Sequence, residues 1–344
     1  MRRLIFSALL ATSCQLSLAQ SNDINGPINT PAPGVLDGVY IQEHIPTKKP
    51  LVYESVSERD VMWSKRVWRA IDLRQKMNHT LYYPLDDIQP GDEMVGEWNW
   101  KKNSTRWSLW TVLLHFILKG DITMYSPYNP DWVDWKDGDQ FKYPITAEQY
   151  GSSIKGNFYT DSVYRDFIKE GYFGYTDFFS PRVVVKCVLD PTIDSMNTRG
   201  EVVYYPREYF WYKSEDIVQY HIKEDWFFDK ERSIVEPRII GIAPCVYEKD
   251  PDGNIIGMKE LFWVYYPQAK YKLQNFFVQN RHNDAQRMSF DDLFQKRMFQ
   301  SYVIKESNIY DRFINEYNAG QEALLESERI EEKISNMEHN LWSF

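Results

Sequence analysis

The chain is poor in the residue types from which most catalytic and metal sites are built. Among 344 residues it has 3 Cys and 6 His. No two of the histidines have the spacing that would place both on one helix face as metal ligands. The patterns of a nucleophilic-serine turn, a phosphate-binding glycine loop and a dinucleotide fingerprint are also missing. We therefore expect no catalytic, cofactor-binding or metal-binding residues.

Positive charge and long apolar runs are scarce as well. The sequence has 40 basic against 49 acidic residues, a net charge of −9, which is the wrong sign for a nucleic-acid partner. Past the amino terminus, no apolar stretch reaches the eighteen or so residues that a membrane span requires. The longest, from Trp110 to Leu118, contains a threonine and a histidine and is interpreted as a buried helix.

The amino-terminal residues 1–19 have the pattern of a secretory signal peptide. An arginine pair precedes an apolar run from Leu4 to Ala11, and small residues end the segment at Ala19. A lipoprotein signal cleaved before Cys14 is the competing interpretation, but Ala11 is a poor residue for such a site. The sequence predicts a secreted, unanchored protein.

Two cysteines remain after this segment, Cys187 and Cys245. Export places them in an oxidising compartment, where disulfides form. Both lie in strand-like runs, in which a single cysteine usually serves as a small buried apolar residue. A Cys187–Cys245 disulfide and two free thiols both fit this pattern.

Residues 20–54 predict an extended arm. They contain five prolines and almost no apolar periodicity, so they cannot bury enough surface to fold alone. The arm either orders on binding or serves as a spacer. Within it, GVLDGVYIQEHI at 34–45 alternates weakly, which favours a strand added to the sheet edge of a neighbour.

The segment after the arm predicts helices. Ser55 and Glu58 have the spacing of a capping box, and an apolar face follows from Val61 to Leu73, so a helix is predicted from residue 55 through 73. Further helices are predicted over 104–119, 147–154 and 162–171.

From Arg182 onward the pattern changes to strands. Apolar or alternating runs predict strands within 182–265, with a hairpin turn at Asp250–Asn254. Pro237 and Pro244 lack a backbone donor and are expected at an edge or bulge.

Helices are predicted again over 269–277, 290–298, 309–317 and 321–340. The last has an apolar stripe that packs on its own domain or on a partner helix; its residues are Ile330, Ile334, Met337 and Leu341. The fold class is α+β, with a helical N-terminal half, an antiparallel β-rich centre and C-terminal helices. The globular core spans 55–318, and an acidic C-terminal helix occupies 319–344.

The stretch RAIDLRQKMNHTLYYP at 69–84 concentrates charge and tyrosine. On the predicted helix its apolar residues face the core, which leaves an outer side available to a partner. The candidate interface residues are Arg69, Asp72, Arg74, Lys76, Tyr82 and Tyr83.

The segment NPDWVDWKDGDQ leaves a different class of function open. Its four aspartates and two tryptophans are the residue types of a glycosidase or a sugar-binding site. Proline and glycine beside them favour a solvated turn instead. A periplasmic glycan- or peptidoglycan-binding protein is the alternative function, and a glycoside hydrolase is the weaker form of it.

Three long, aromatic-rich stretches occur together in this chain. They are DVMWSKRVWRAIDLRQKMNHTLYYP, IKEDWFFDKERSIVEPRIIGIAPCVYEKDPDG and ELFWVYYPQAKYKLQNFFVQNRHNDAQRMSFDDLFQKRMFQSYVIKESNIYDRFINEY. In them the chain resembles the GldN/PorN family of the Bacteroidetes type IX secretion and gliding machinery, over most of residues 58–317.

The resemblance implies a periplasmic, non-enzymatic protein that is peripherally associated with the outer membrane. It implies a ring of many copies assembled with the outer-membrane lipoprotein GldK/PorK and contacting the GldM/PorM shaft. Such a ring would couple the GldLM/PorLM motor to protein export and gliding. No cofactor is implied.

Overall fold

The structure is a computed structural model that describes residues 39, 50–89, 99–103, 105–118, 120–129, 137–145, 182–184, 208–210, 212–249, 255–281, 283, 285–286 and 288–341. The strands in these ranges are β1 Val61–Asp72, β2 Asp87–Gln89, β3 Asn99–Lys101, β4 Met124–Tyr125, β5 Pro144–Ile145, β6 Arg182–Val184, β7 Glu208–Phe210, β8 Ile217–Asp229, β9 Ile234–Lys249, β10 Ile255–Glu260, β11 Trp263–Tyr265, β12 Phe277–Val278, β13 Met288–Ser289 and β14 Tyr302–Glu306. The α-helices are α1 His79–Tyr82, α2 Leu109–Leu118, α3 Tyr266–Leu273, α4 Phe290–Gln295, α5 Ile314–Tyr317 and α6 Gln321–Leu341.

An eight-stranded antiparallel sheet organises the fold. Its strand order is β14-β1-β8-β9-β11-β4-β5, and β10 pairs with β9 beside this path. The β8–β9 hairpin is the longest ladder, and β9 and β10 form the hairpin predicted around residues 250–254. The predicted α+β class with an antiparallel centre is confirmed.

The first predicted helix is wrong, because residues 61–72 form the strand β1, which lies between β14 and β8 in the sheet. From Val61 to Arg66 burial alternates with period 2, and from Val67 onward both faces of the strand are covered. A strand that is covered on both faces has a continuous apolar run in its sequence. Periodicity alone does not distinguish such a run from a segment of a buried helix. The β-branched and aromatic residues Val61, Trp63, Val67 and Ile71 favour the strand.

The second predicted helix is confirmed in shorter form as α2. Ser108 begins it, because the Ser108 hydroxyl accepts a hydrogen bond from the backbone N–H of Thr111 at 3.2 Å. Gly120 follows its end with a positive φ of 80°, a conformation that glycine adopts at little cost. The helices predicted over 147–154 and 162–171 lie outside the described residues.

The two faces of the sheet are covered differently. On one face, α2, α3 and α4 enclose the main core, whose largest buried side chains include Trp110, Tyr220 and Phe262. On the other face a smaller cluster forms around Trp68 and Trp263. Pro237 pairs with Trp226 of β8, and no described strand pairs with that part of β9 on its other side, which confirms its edge placement.

The C-terminal helix packs on its own domain. Ile330 and Ile334 of α6 are buried against three residues of β1, β14 and α5, namely Val67, Val303 and Ile314. Of the two interpretations of the apolar stripe, intramolecular packing is therefore the one observed. Tyr53, at the end of the predicted arm, also packs against the main core.

Candidate interaction surface

Arg69 is engaged inside the molecule and is not an open interface residue. Its guanidinium donates to the Ser301 hydroxyl at 2.8 Å and forms an ion pair with Glu331 of α6. The side chain is only 11% exposed. The expected helix would have placed Arg69 on an outer face, whereas on β1 it points towards α6.

Asp72 and Arg74 form a pair at the end of β1. The Arg74 guanidinium donates to Asp72 Oδ2 at 2.6 Å, and the Arg74 backbone N–H donates to Asp72 Oδ1 at 2.9 Å. Burial raises the pKa of Asp72, but the hydrogen bonds from Arg74 more than offset it, so the pKa is lowered overall. Asp72 is buried, while the Arg74 side chain is 66% exposed.

Lys76, Tyr82 and Tyr83 lie in the turn and the short helix α1 that follow β1. Lys76 and Tyr83 are exposed, whereas Tyr82 packs against the main core and burial raises its pKa. The rings of Tyr82 and Tyr83 meet edge to face with centroids 4.8 Å apart. Two apolar side chains beside them, Met77 and Leu85, are also exposed.

We define the α1 surface as the exposed residues Arg74, Lys76, Met77, Tyr83 and Leu85. It combines two cations, one tyrosine and two apolar side chains; of these residue types, tyrosine, methionine and arginine are enriched at protein interfaces. The sequence identified Arg74, Lys76 and Tyr83 but missed Met77 and Leu85. The signal that could have found them is the end of the apolar pattern at the end of β1. Predicting a helix over these residues concealed that end.

A pocket of about 320 Å³ adjoins the α1 surface. Its lining is mainly methionine and leucine, with Arg281 and Gln279 as polar members; the other residues are Met77, Thr80, Met288, Leu293 and Met298. Methionine side chains adapt to irregular apolar groups. The pocket is suited to an apolar side chain from a partner.

The aspartate-rich segment does not present two free carboxylates in its described part. Asp139 accepts hydrogen bonds from Trp68 Nε1 at 3.1 Å and from the buried Lys223 ammonium at 3.3 Å. Asp137 accepts from Lys142 Nζ at 3.1 Å and from the Tyr143 hydroxyl at 3.3 Å. Asp139 therefore fixes the 137–145 loop to the sheet, whereas Asp137 bonds within the loop; residues 130–136 lie outside the described residues.

A histidine and a glutamate form a buried pair on the same sheet face. Nδ1 of His221 lies 2.7 Å from Oε1 of Glu260, and Trp263 Nε1 donates to Oε2 at 2.9 Å. Burial disfavours the imidazolium, yet the contacts with Cys245 and Glu260 more than offset it and raise the pKa of His221 to about 10. The short contact with the Glu260 carboxylate therefore favours the imidazolium form of His221.

Cys245 is fully buried and has a free thiol, whose pKa burial raises. Cys187 lies outside the described residues, so the Cys187–Cys245 disulfide stays a prediction.

Metal-binding clusters and membrane-spanning helices are both absent from the described part of the chain. Within those ranges, no group of three or more His, Cys, Asp or Glu side chains is arranged to hold a metal ion. No helix there is long and apolar enough to cross a membrane.

The α+β fold is built around an antiparallel sheet, and the α1 surface is the site that best fits an interaction protein. A family model described as "Gliding motility associated protein GldN" matches residues 56–343. The chain belongs to this family, and it is a gliding-motility-associated protein of the type IX secretion class. No curated protein matches it at a significant level.

Proposed function

We propose that the chain is a non-enzymatic structural subunit of the periplasmic ring of the type IX secretion system. In this role it assembles with further copies of itself and with the outer-membrane lipoprotein GldK/PorK. It contacts the GldM/PorM shaft and so couples the GldLM/PorLM motor to protein export and gliding. The protein acts in the periplasm, peripherally associated with the outer membrane.

The α1 surface is the observation that supports this role. Met77 is 41% exposed, Tyr83 47% and Leu85 39%, beside a pocket whose lining is mostly apolar. Neighbouring exposed apolar side chains beside an apolar pocket are a feature of protein contact sites. The α1 surface therefore serves as a contact with the lipoprotein partner.

The cations of the α1 surface indicate which charge the partner surface carries. Lys76 is exposed, and Arg74 extends into solvent although it is paired with Asp72. On a chain with a net charge of −9, such a local positive group favours an acidic, apolar-centred partner surface.

Co-purification tests the proposal. The full chain is extracted from cell envelopes with gentle detergent, separated by size exclusion, and the co-eluting proteins are identified by mass spectrometry. An outer-membrane lipoprotein in a high-mass fraction is the expected result. A monomer that elutes alone and cleaves peptidoglycan would refute the proposal.

A further inference from the structure

The first half of β1 has an open backbone edge. β8 pairs with β1 from Val61 to Asp72, whereas β14 pairs with it only from Val67 to Ala70. Among the described residues, no strand lies beside Val61–Lys65 on the side away from β8. We call Val61–Lys65 the open edge.

The backbone groups of Ser64 point outward from the open edge. The Arg66 carbonyl accepts a hydrogen bond from Ser307 N–H at 3.0 Å on the β14 side. In an antiparallel strand, successive residues direct their backbone groups to opposite sides. Counting back by two from Arg66 gives Ser64 as a residue whose N–H and C=O face the open side; the register of β1 against β8 shifts between Val61 and Trp63, where the regular pairing ends.

Apolar side chains surround this edge in solvent. Met62 is 67% exposed, and Ile309 and Tyr310, which follow Ser307, are 96% and 72% exposed. At the start of α6, Leu324 and Leu325 are 61% and 58% exposed. Their neighbour in sequence, Ala323, packs against the cluster that contains Val67 and Trp63 of β1, which places these leucines near the edge.

The charges of the open edge do not protect it. Natural edge strands often use free lysine or arginine to prevent another strand from pairing. Here Lys65 forms an ion pair with Glu306 at 3.2 Å, and Arg66 is bidentate to Asp225 at 2.6 and 2.7 Å. With its charges neutralised and apolar groups beside it, the edge is suited to strand addition.

The arm of this chain begins at the same end of the sheet. Tyr53 packs on the core beneath the Lys270 ammonium, and Glu54 forms an ion pair with Arg232 in the β8–β9 turn. Asp60 then accepts from the backbone N–H of Lys230, and β1 begins. The described chain therefore begins, at Pro50–Glu54, near the end at which the open edge lies.

The arm contains a segment suited to that edge. In GVLDGVYIQEHI, residues 34–45, four apolar residues share one alternating set: Val35, Val39, Ile41 and Ile45. Val39 is 99% exposed, so none of the described residues covers it. Eleven residues from 35 to 45 are ample to pair with a five-residue edge.

A second copy offers the more direct geometry. The base of the arm is fixed at β9, and its own open edge lies beyond β8 and β1, three strand spacings or about 14 Å away through the sheet. To reach its own open edge, the arm would have to cross one face of the sheet between β9 and β1. The Glu224–Arg297 pair lies on one of these faces, and the Arg66–Asp225 pair lies on the other. A neighbouring copy in an assembly can present its edge without this crossing.

We propose that residues 35–45 of one copy add as a strand to the open edge of β1 in a second copy. The inference rests on the proposed function, because it supplies the contact between copies in the ring. The ligand is an extended peptide of this chain, recognised by backbone hydrogen bonds and by apolar contacts with Met62, Ile309 and Tyr310.

Site-specific cross-linking tests the pairing. Full-length chains with Val39→Cys and with Met62→Cys, each with a different tag, are mixed and treated with a short bismaleimide, and linked peptides are identified by mass spectrometry. Residue 39 linked to residue 62 between differently tagged chains is expected. Val39→Cys mixed with Ile256→Cys, an equally exposed position on β10, is the matched control.

Two results of that experiment would overturn the inference. One is the absence of a 39–62 link above the control. The other is a 39–62 link confined to a single chain when both substitutions are combined, since the arm would then bind its own copy.

A proline at the edge gives an independent readout. Ser64→Pro removes an outward N–H without removing a donor to β8, whereas Ser64→Ala keeps the N–H. We expect self-association to weaken roughly tenfold for Ser64→Pro and to stay unchanged for Ser64→Ala, with both variants folded by circular dichroism. Unchanged self-association of a folded Ser64→Pro protein would contradict the inference.

The two proposals fail in distinguishable ways. If the lipoprotein co-elutes but the 39–62 link is absent, only the strand addition is overturned. If the link forms between copies but no lipoprotein co-elutes, strand addition is supported and the assembly with the lipoprotein is what fails.

Discussion

The Arg69 guanidinium in β1 forms an ion pair with the Glu331 carboxylate in the last helix, across 262 residues of sequence. The same guanidinium donates to Ser301 before β14. Arg69 therefore connects the central sheet to the helix that covers its edge. This contact reassigns a candidate interface residue to the interior of the fold.

Removing this guanidinium should loosen the C-terminal helix. Arg69→Met leaves Glu331 without its partner, and we expect a loss of about 1–3 kcal/mol in the free energy of unfolding. Urea unfolding measures it, with Lys76→Met as the control because the Lys76 side chain is exposed. Equal midpoints for the two variants would show that the Arg69 contact contributes nothing.

The buried pair of Glu224 and Arg297 predicts a larger effect. Glu224 is 0% exposed, and its carboxylate oxygens accept hydrogen bonds from Nη1 and Nη2 of Arg297 at 2.9 and 3.2 Å. Arg297→Met leaves an uncompensated buried carboxylate, which should cost about 3–5 kcal/mol. The double variant Glu224→Met with Arg297→Met should recover much of that loss, and a purely additive double-variant cycle would contradict the coupling.

Stability should fall with rising pH because of His221. Its pKa is raised to about 10 in the folded protein from the ordinary 6.5, so between these values the folded state holds a proton that the unfolded state has lost. The contribution is complete below about pH 6.5 and disappears as the pH rises through about 10. Glu260→Gln removes the carboxylate, so the difference in unfolding free energy between the native protein and this variant should shrink by at least about 1 kcal/mol over that interval. A constant difference would exclude the pair as the cause.

The stripe of α6 should be a stability determinant. Ile334→Ala empties a position that is 6% exposed, and we expect a loss of about 2–4 kcal/mol. Leu324→Ala, on the exposed side of the same helix, should change the unfolding free energy by less than about 0.5 kcal/mol. Thermal or urea unfolding of both variants checks this, and the reverse ranking would mean that α6 is oriented differently.

The α1 surface should affect assembly but not folding. Tyr83→Ala combined with Lys76→Glu removes one ring and reverses one cation, and we expect about 2 kcal/mol, or roughly 30-fold, weaker binding of the lipoprotein partner. Lys230→Glu, an exposed lysine in the β8–β9 turn, is the matched control. If both variants bind the partner as the native protein does, the α1 surface is ordinary solvated surface.

The sequence predicted the strands after residue 182 better than the first structural element. β8, β9 and β11 have apolar runs bounded by turn residues, and these are local signals. β1 was predicted as a helix because its second half, from Val67, is covered on both faces. The sequence of that half therefore lacks the alternation of apolar and polar residues that indicates a strand. The pairing of β1 with β8, whose partner residues lie between 147 and 168 positions away, decides the outcome.

The candidate surface was only partly predictable for the same reason. The exposure of Lys76 and Tyr83 follows from the local sequence, since both lie in the charged and tyrosine-rich stretch that ends at Pro84. The burial of Arg69 depends on α6, which is distant in sequence, and the pocket depends on side chains from β13 and α4. Long-range packing of this kind leaves no pattern in a single stretch of sequence.

The native mass of the protein extracted from cell envelopes tests the central claim most directly. A structural ring subunit should elute in a particle many times heavier than one chain, together with an outer-membrane lipoprotein. A protein that elutes with the mass of one chain under the same gentle extraction, with no lipoprotein bound, would contradict the account.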